Sequence, residues 1–554
     1  MEGMIEVFCR NTDRHFLVPC GADLKEVLKY SQLENEERIL GALVNNKVQS
    51  MNYKIYTPRE VEFFDYNSSF GRRMYALSLM FVLYKATKEV CPQYEICIQH
   101  SMNDGYYVEF ENSGVELAEL LPVILEKMKE IVEADIKFQR ELIPTNKAVE
   151  LFKKVGMNEK ADLLSCSKRL YANVDILDGT VNSFFFDLVP STSYLKVFDL
   201  YPYNKGMILH NKGMILQLPT KNHRESDKLF SVFQEHKQWL KVLNTPFVSD
   251  LNKVVSAKKE NELIQVSEAL HEKKYAQIAD EINKREEKVK LVLLAGPSSS
   301  GKTTSCRRIS TQLSVLGYNP IQISLDDYFV NREFTPKDEN GDYDFECFEA
   351  LDVDYFVYQM KELIKGNKVS LPRFNFLTGQ REETNQELQM QENSILIIEG
   401  IHALNPRLTE EIEDKYKYKV FVSALTQVAL DKHNLISTSD NRLIRRIVRD
   451  NNYRGYSAQD TIMRWDSVRS GEEKHIFPYQ ENADIIFNSS LLYEIGLLKP
   501  IVEPLLMEVG QNSPAYAEAK RLQTFLANFK SFHSDFIPPT SIMREFLGGS
   551  SFNY

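Results

Sequence analysis

The chain has 554 residues, 43% of them hydrophobic and 26% charged, and a formal net charge of −11. That length exceeds a single hydrophobic core, so roughly three or four domains are expected, and the acidic balance argues against a general nucleic-acid or membrane-surface binder. The seven cysteines are scattered and none forms a C-x-x-C pair, which argues against structural zinc and a disulfide framework.

Residues 1–64 alternate in short apolar stretches (MIEVFCR, FLVPCG, VEFF) around one helix at 23–31, the pattern of a small β-rich module. The first residues lack a basic segment followed by an apolar one, and no apolar run reaches about 18 residues. A cytoplasmic protein without membrane contact is therefore expected. Residues 65–225 mix helices at 70–89 and near 114–133 with several strands, a second α+β module. Residues 226–288 are charged and helical. Ile264, Leu270, Tyr275, Ile278 and Ile282 set one apolar face, so this segment reads as a solvated connector with one packed stripe. From 289 to 500 apolar strands (VKLVLLA, NPIQISL, ILIIEG, YKVFVSA, ADIIFNS) alternate with helices, which predicts a parallel α/β sheet. Residues 501–554 read as helical and accessory.

The strand at 291–295 runs into GPSSSGKTT, residues 296–304, which fills the P-loop spacing G-x-x-x-x-G-K-[ST]. Gly296 and Gly301 let the loop through Pro297 turn the N–H groups of Ser298, Ser299 and Ser300 toward phosphate oxygens. Lys302 supplies a point charge for the β/γ-phosphates, Thr303 a hydroxyl for Mg²⁺, and the helix opening at 302 its positive end, with Thr304 in its first turn. ATP and Mg²⁺ are the expected cofactors.

Four further segments suit phosphoryl transfer. SLDDYF ends the second strand, and carboxylates at such an edge lie where α/β sheets bind ligands. Asp326 is the candidate general base and Asp327 the fallback. Glu399 closes ILIIEG, the place of an acid that orients the Mg²⁺ shell. Arg442, Arg445, Arg446 and Arg449 lie on one helix with Arg454 just beyond. They read as a lid whose guanidinium forks match phosphate geometry, or as a salt-bridged face. The acidic, aromatic loop 342–352 offers Glu346 to ribose hydroxyls.

Taken together, P-loop, DDYF, EGI, RLIRRIVRD with a following Arg-Gly, and ADIIF resemble the uridine kinase/phosphoribulokinase family of P-loop kinases over residues 289–490. The resemblance implies that Asp326 activates a nucleoside 5′-hydroxyl and that Glu346 falls where the family grips the ribose. It places Arg442 on the ribose or phosphate side, and Arg446 and Arg449 on a lid. The family's pyrimidine-reading segment is altered here to LPRFNFLTGQR. Phe374 replaces a tyrosine, Asn375 an aspartate and Gly379 a histidine, so a purine nucleoside or another sugar stays open as substrate. Residues 1–64 resemble the TGS domain, a β-grasp module. Residues 65–200 resemble the second additional domain of threonyl- and alanyl-tRNA synthetases through FGRRMYALSLMFVL, HSMNDGYYVEF and FDLVPSTSYLKVFDL. Arg73, Leu77, Phe184 and Leu188 stand where that domain carries its metal-linked pairs, and such side chains do not ligate zinc as imidazole and thiolate do. His100 reads as a structural ring.

The resulting expectation is a nucleoside kinase acting on a small-molecule acceptor, uridine or cytidine first. The front modules serve as scaffold or as an oligomerisation surface. A phosphoribulokinase-like acceptor is the nearest rival, and a nucleotide-regulated RNA-binding protein is the rival of another class.

Overall fold

The computed structural model describes residues 3–102, 105–111, 117–203, 213–219, 226–286, 288–337, 341, 343–375, 378–426 and 428–552. The alternating stretches of the first module pair into a five-stranded sheet in the order Arg14–Pro19, Met4–Cys9, Arg59–Phe64, Gly41–Val44, Lys47–Ser50. Met4–Cys9 is parallel to Arg59–Phe64 and antiparallel to its hairpin partner. Val7, Cys9, Val18, Val61 and Phe63 form the core of this sheet with Leu24 and Val27 of the helix Leu24–Ser31. Asp23 caps that helix, accepting from the Glu26 N–H at 2.9 Å.

The second module is built around the helix Ser69–Val90, buried nearly all round. It shares one core with residues of a four-stranded antiparallel sheet and of a three-stranded sheet, Gln139–Pro144, Tyr171–Leu177 and Thr180–Asn182. Phe184 and Leu188 are buried in this core. Arg73 instead reaches out of the module, to Asp440 at 3.3 Å and Glu518 at 3.5 Å. His100 is a packed ring, stacked on Phe233 with centroids 3.6 Å apart, and burial pushes its pKa down to about 3.

The third region holds the expected parallel sheet, ordered Asn319–Ser324, Ser394–Glu399, Leu291–Ala295, Lys417–Ser423, Ile485–Asn488, with every pair parallel. Strands buried on both faces need no alternation in sequence. Leu291 and Leu293 pack with Phe356 and Met360 of the helix Val353–Ile364. Val292 and Leu294 pack on the opposite side with Cys306, Ile309 and Leu313 of the helix Lys302–Val315.

Two sequence expectations change here. The segment read as a connector comprises the helices Asp227–Leu243, Val248–Ser256 and Glu260–Asn283. The stripe Tyr275, Ile278, Ile282 packs against the same sheet face as the P-loop helix, so the last helix is a layer of the α/β domain. The C-terminal residues are helical but not peripheral. Ile542, Met543 and Phe546 are fully buried, and Ile542 fills the space beside Gly301.

Candidate active site

The P-loop leaves the C-terminal end of the central strand. A Cβ on Gly296 would stand 2.1 Å from the Val422 carbonyl oxygen, so only glycine passes there. Ser299 at φ +57° and Gly301 at φ +83° turn the loop through left-handed geometry, the shape that points successive N–H groups into one concavity. The loop is held from outside. Ser298 donates its N–H to Glu472 at 3.0 Å, and its carbonyl accepts from Arg442 Nε at 2.9 Å. The Ser299 carbonyl accepts from Arg445 at 3.3 Å, and Ser300 bonds Pro297 and Ser489 through its backbone. Lys302 Nζ lies 3.1 Å from the Pro297 carbonyl. Thr303 donates its hydroxyl to Glu399 at 3.3 Å, and Thr304 donates to Glu545 at 2.7 Å.

The carboxylates meet this loop at the same edge. Asp326 and Asp327 lie on the single turn Leu325–Tyr328, which follows the edge strand and is fixed by Ser324. Asp327 accepts from the Phe374 N–H at 3.1 Å, while Asp326 faces the charges of Lys302, Arg454 and Arg449. Burial pushes the Asp326 carboxyl up, against the pull of those cations. Burial likewise raises Glu399 to about 7, Lys302 opposing it and Asp326 and Glu545 adding to it. Glu346 is raised to about 7 by burial and then by Glu472, with Arg446 and Lys302 opposing.

The arginine helix spans Thr438–Arg454, from the Ser437 cap to Gly455 in the left-handed region. Its arginines do not act as one lid. Arg442 is buried in an ion pair with Glu472, and Arg445 in one with Glu494. Arg442, expected as a substrate contact, spends its guanidinium in this structure on the Ser298 carbonyl of the P-loop and on Glu472. The reason is two buried acids on later helices, which no spacing rule within the arginine run reveals. Arg446 and Arg449 do reach the front. Arg446 donates to Ser298 Oγ at 2.9 Å, and both pair with the single buried Asp450, which Arg454 also approaches. Phe374 is buried against Phe329 in a small apolar cluster with Cys347 and Leu351, so packing rather than an open face occupies its ring. Phe376 and Leu377 of the same segment lie outside the described residues.

The loop fits a nucleotide phosphate chain: a backbone turn opened by Gly296 and Gly301, a lysine and a helix N-terminus converge there. Thr303 and Glu399 present two hard oxygen donors, the kind Mg²⁺ takes. Residues 291–493 match the model of the Phosphoribulokinase / Uridine kinase family. That match supports an ATP-dependent P-loop kinase domain over these residues, similar to the members of that family.

Among curated relatives, this chain is 29% identical to a uridine kinase of Ligilactobacillus salivarius over 203 residues, 36% of this chain and 86% of that protein. It is 35% identical to a uridine kinase of Schizosaccharomyces pombe over 171 residues, 30% of this chain; the match spans only 33% of that relative's length. A solved structure described as a possible uridine kinase from Bacillus stearothermophilus aligns with 39% of this chain and 98% of its own, at 18% identity and a TM-score of 0.27.

Sequence reasoning missed Glu472, Glu494, Asp450 and Glu545. Asp450 closes RLIRRIVRD and was legible as a partner for arginines four residues away. The other three belong to no motif and reach the loop only through the fold.

Proposed function

We propose that this chain is a Mg²⁺- and ATP-dependent kinase that phosphorylates the 5′-hydroxyl of a nucleoside, uridine or cytidine first among acceptors. The observation that carries the reading is the convergence of Lys302, Thr303, Glu399 and Asp326 at one edge of the parallel sheet. Lys302 and the loop N–H groups hold the β/γ-phosphates, and Thr303 and Glu399 hold Mg²⁺. Bound Mg²⁺ supplies charge neutralisation for the phosphate oxygens. Asp326 accepts the hydroxyl proton of the acceptor. Asp327 is engaged by the Phe374 amide, which leaves Asp326 as the better-placed base. Arg446 and Arg449 carry more positive charge than Asp450 balances, and this surplus faces the transferring group. Glu346 takes acceptor hydroxyls. The first two modules are proposed as scaffold.

A wider acceptor range is the second reading, and Gly379 favours it. The Arg332 side chain lies where a Cβ at 379 would point, its Nε 2.8 Å away, so no base-reading side chain stands at that position. The test is a panel of uridine, cytidine, adenosine, guanosine, inosine and thymidine with Mg²⁺-ATP, followed by chromatography of the monophosphates. Turnover of pyrimidine nucleosides alone supports the first reading, and a purine preference supports the second. Silence with ATP still bound overturns both in favour of a non-nucleoside acceptor.

A further inference from the structure

A cavity lies along the outer edge of the parallel sheet, and none of the P-loop residues lines it. Among the described residues the strand Ile485–Asn488 pairs only with Lys417–Ser423, so its other side is an open edge. Such an edge presents alternating backbone N–H and C=O groups. The helices Asp227–Leu243 and Glu260–Asn283 stand beside it and leave about 200 Å³, lined on the sheet side by the consecutive residues from Asp484 to Asn488. One water needs about 10–15 Å³ of such space, so the cavity has room for a ring system. Both helices precede residues 291–493, so most of this cavity is built by parts of the chain outside the matched kinase segment.

The side chains facing the cavity say which ligand fits. His271 is fully buried, its ring centroid 5.2 Å from that of Phe487. Neither of its nitrogens makes a hydrogen bond among the described residues; the Ser490 carbonyl approaches the ring without the geometry of one. A neutral imidazole has one donor and one acceptor to satisfy, and buried polar groups are nearly always satisfied. Burial holds His271 well below the ordinary imidazole pKa and pushes His236, which lines the same cavity, down to about 4. Both rings are therefore neutral at pH 7. The charges at the rim are already engaged. Lys274 pairs with Glu235, and Asp484 with Arg285 at 2.8 Å. Lys228 donates to the Glu481 and Ala483 carbonyls at 2.9 and 2.6 Å. With its lysines engaged, this lining favours an uncharged ligand over a phosphate or carboxylate. Val232, Leu270 and Phe487 supply apolar walls. The matching ligand is uncharged and planar, with a donor beside an acceptor in its plane. Neutral imidazole and an open strand edge both bond such a group.

The strand that lines the cavity also leads to the P-loop. Ser489 follows it directly and donates its hydroxyl to the Ser300 carbonyl. Arg445 donates to the Ser489 carbonyl at 2.9 Å and to the Ser299 carbonyl at 3.3 Å. We propose that the cavity is an effector site for an uncharged heterocycle of the nucleobase class, held by His271 and the open edge of Ile485–Asn488, and that its occupancy changes ATP affinity through Ser489. Linkage makes the effect reciprocal: ATP changes the affinity for the base by the same factor.

The test is calorimetric titration of the full chain with uracil, cytosine, adenine and hypoxanthine, each with and without ATP, and then with uridine and UMP. Free bases carry no hydroxyl to phosphorylate, so the readout is binding and does not need turnover. At least one base is expected to bind one-to-one and to shift ATP affinity about 5-fold or more. His271→Phe keeps a ring against Phe487 and removes both nitrogens; it is expected to weaken the base roughly 10-fold. Ser231→Phe blocks the cavity from its exposed rim, and it serves where the buried substitution fails to fold. In both variants ATP affinity without base stays at the wild-type value. UMP is expected to bind this site more weakly than uracil, because the lysines there are engaged. No binding by any base means that the cavity holds water only and overturns the proposal. Base binding unchanged in both variants places the base in the acceptor site and overturns it as well. Base binding that leaves ATP affinity unchanged overturns the effector role. A variant-sensitive preference for UMP over uracil overturns the uncharged class.

Discussion

Asp326 and Arg442 show how differently two charged residues from equally suggestive motifs behave. Asp326 is half-buried with its charge facing Lys302, and among the described residues no hydrogen bond ties its side chain to the fold. Asp326→Asn is expected to lower kcat roughly 10²–10⁴-fold with ATP affinity retained. Its effect on stability has the opposite sign. Burial raises the folded-state pKa of Asp326 above its unfolded value, so between those two values stability falls as pH rises. The asparagine variant escapes that cost. Its melting temperature at pH 7 should equal or exceed the wild type, and the gain should vanish below the ordinary aspartate pKa. A variant that loses both turnover and stability at pH 7 contradicts the catalytic role. Arg442, in contrast, is fully buried against Glu472, and what its motif foretold was a guanidinium rather than its destination.

Elements extend the same point. The parallel strands and the P-loop were legible, though not the order of the strands, because buried parallel strands are short apolar runs and phosphate cradles need glycine at fixed places. The C-terminal segment carried no such signal. Its Ile542 abuts Gly301, Glu545 bonds Thr304, Phe546 lies under Arg445 at 5.3 Å, and Asn452 donates to the Phe546 carbonyl at 3.0 Å. Removing the fully buried Phe546 ring as Phe546→Ala should cost about 3–5 kcal/mol. Because Phe546 backs both the P-loop and the arginine helix, ATP affinity should fall with it. Chemical denaturation and nucleotide titration of the variant check the two effects. Unchanged ATP binding in a destabilised variant means the segment is an ordinary cap on the core.

At the scale of the molecule, the front modules and the kinase domain are joined by buried polar contacts. Lys160 reaches across to Asp431 at 2.6 Å, both side chains nearly inaccessible, and Asn182 meets His433 at 3.2 Å. Lys432 pairs with Glu95 and Glu111, and Asn46 donates to the Gln511 carbonyl at 2.9 Å. Leu163 of the second module packs in the core that holds Val428, Leu443 and Ile447. Breaking a buried pair leaves an uncompensated charge, so Lys160→Ala is expected to cost about 3–5 kcal/mol. If the modules are one cooperative unit, calorimetry of that variant shows a single transition at lower temperature. Two separated transitions show that they unfold independently.

By itself the sequence determined the α/β sheet, the P-loop and the acids at the strand ends, because each depends on a local rule: apolar run length, glycine torsion, position after a strand. Only the tertiary structure decided which of Arg442, Arg445, Arg446 and Arg449 face the site, that Phe374 is packed, and that Glu472 and the last residues of the chain reach the loop. Those outcomes depend on partners 30 to 241 residues away, such as Glu472 for Arg442 and Glu545 for Thr304. A buried charge goes where its counter-charge lies, and separation along the chain does not encode that distance in space.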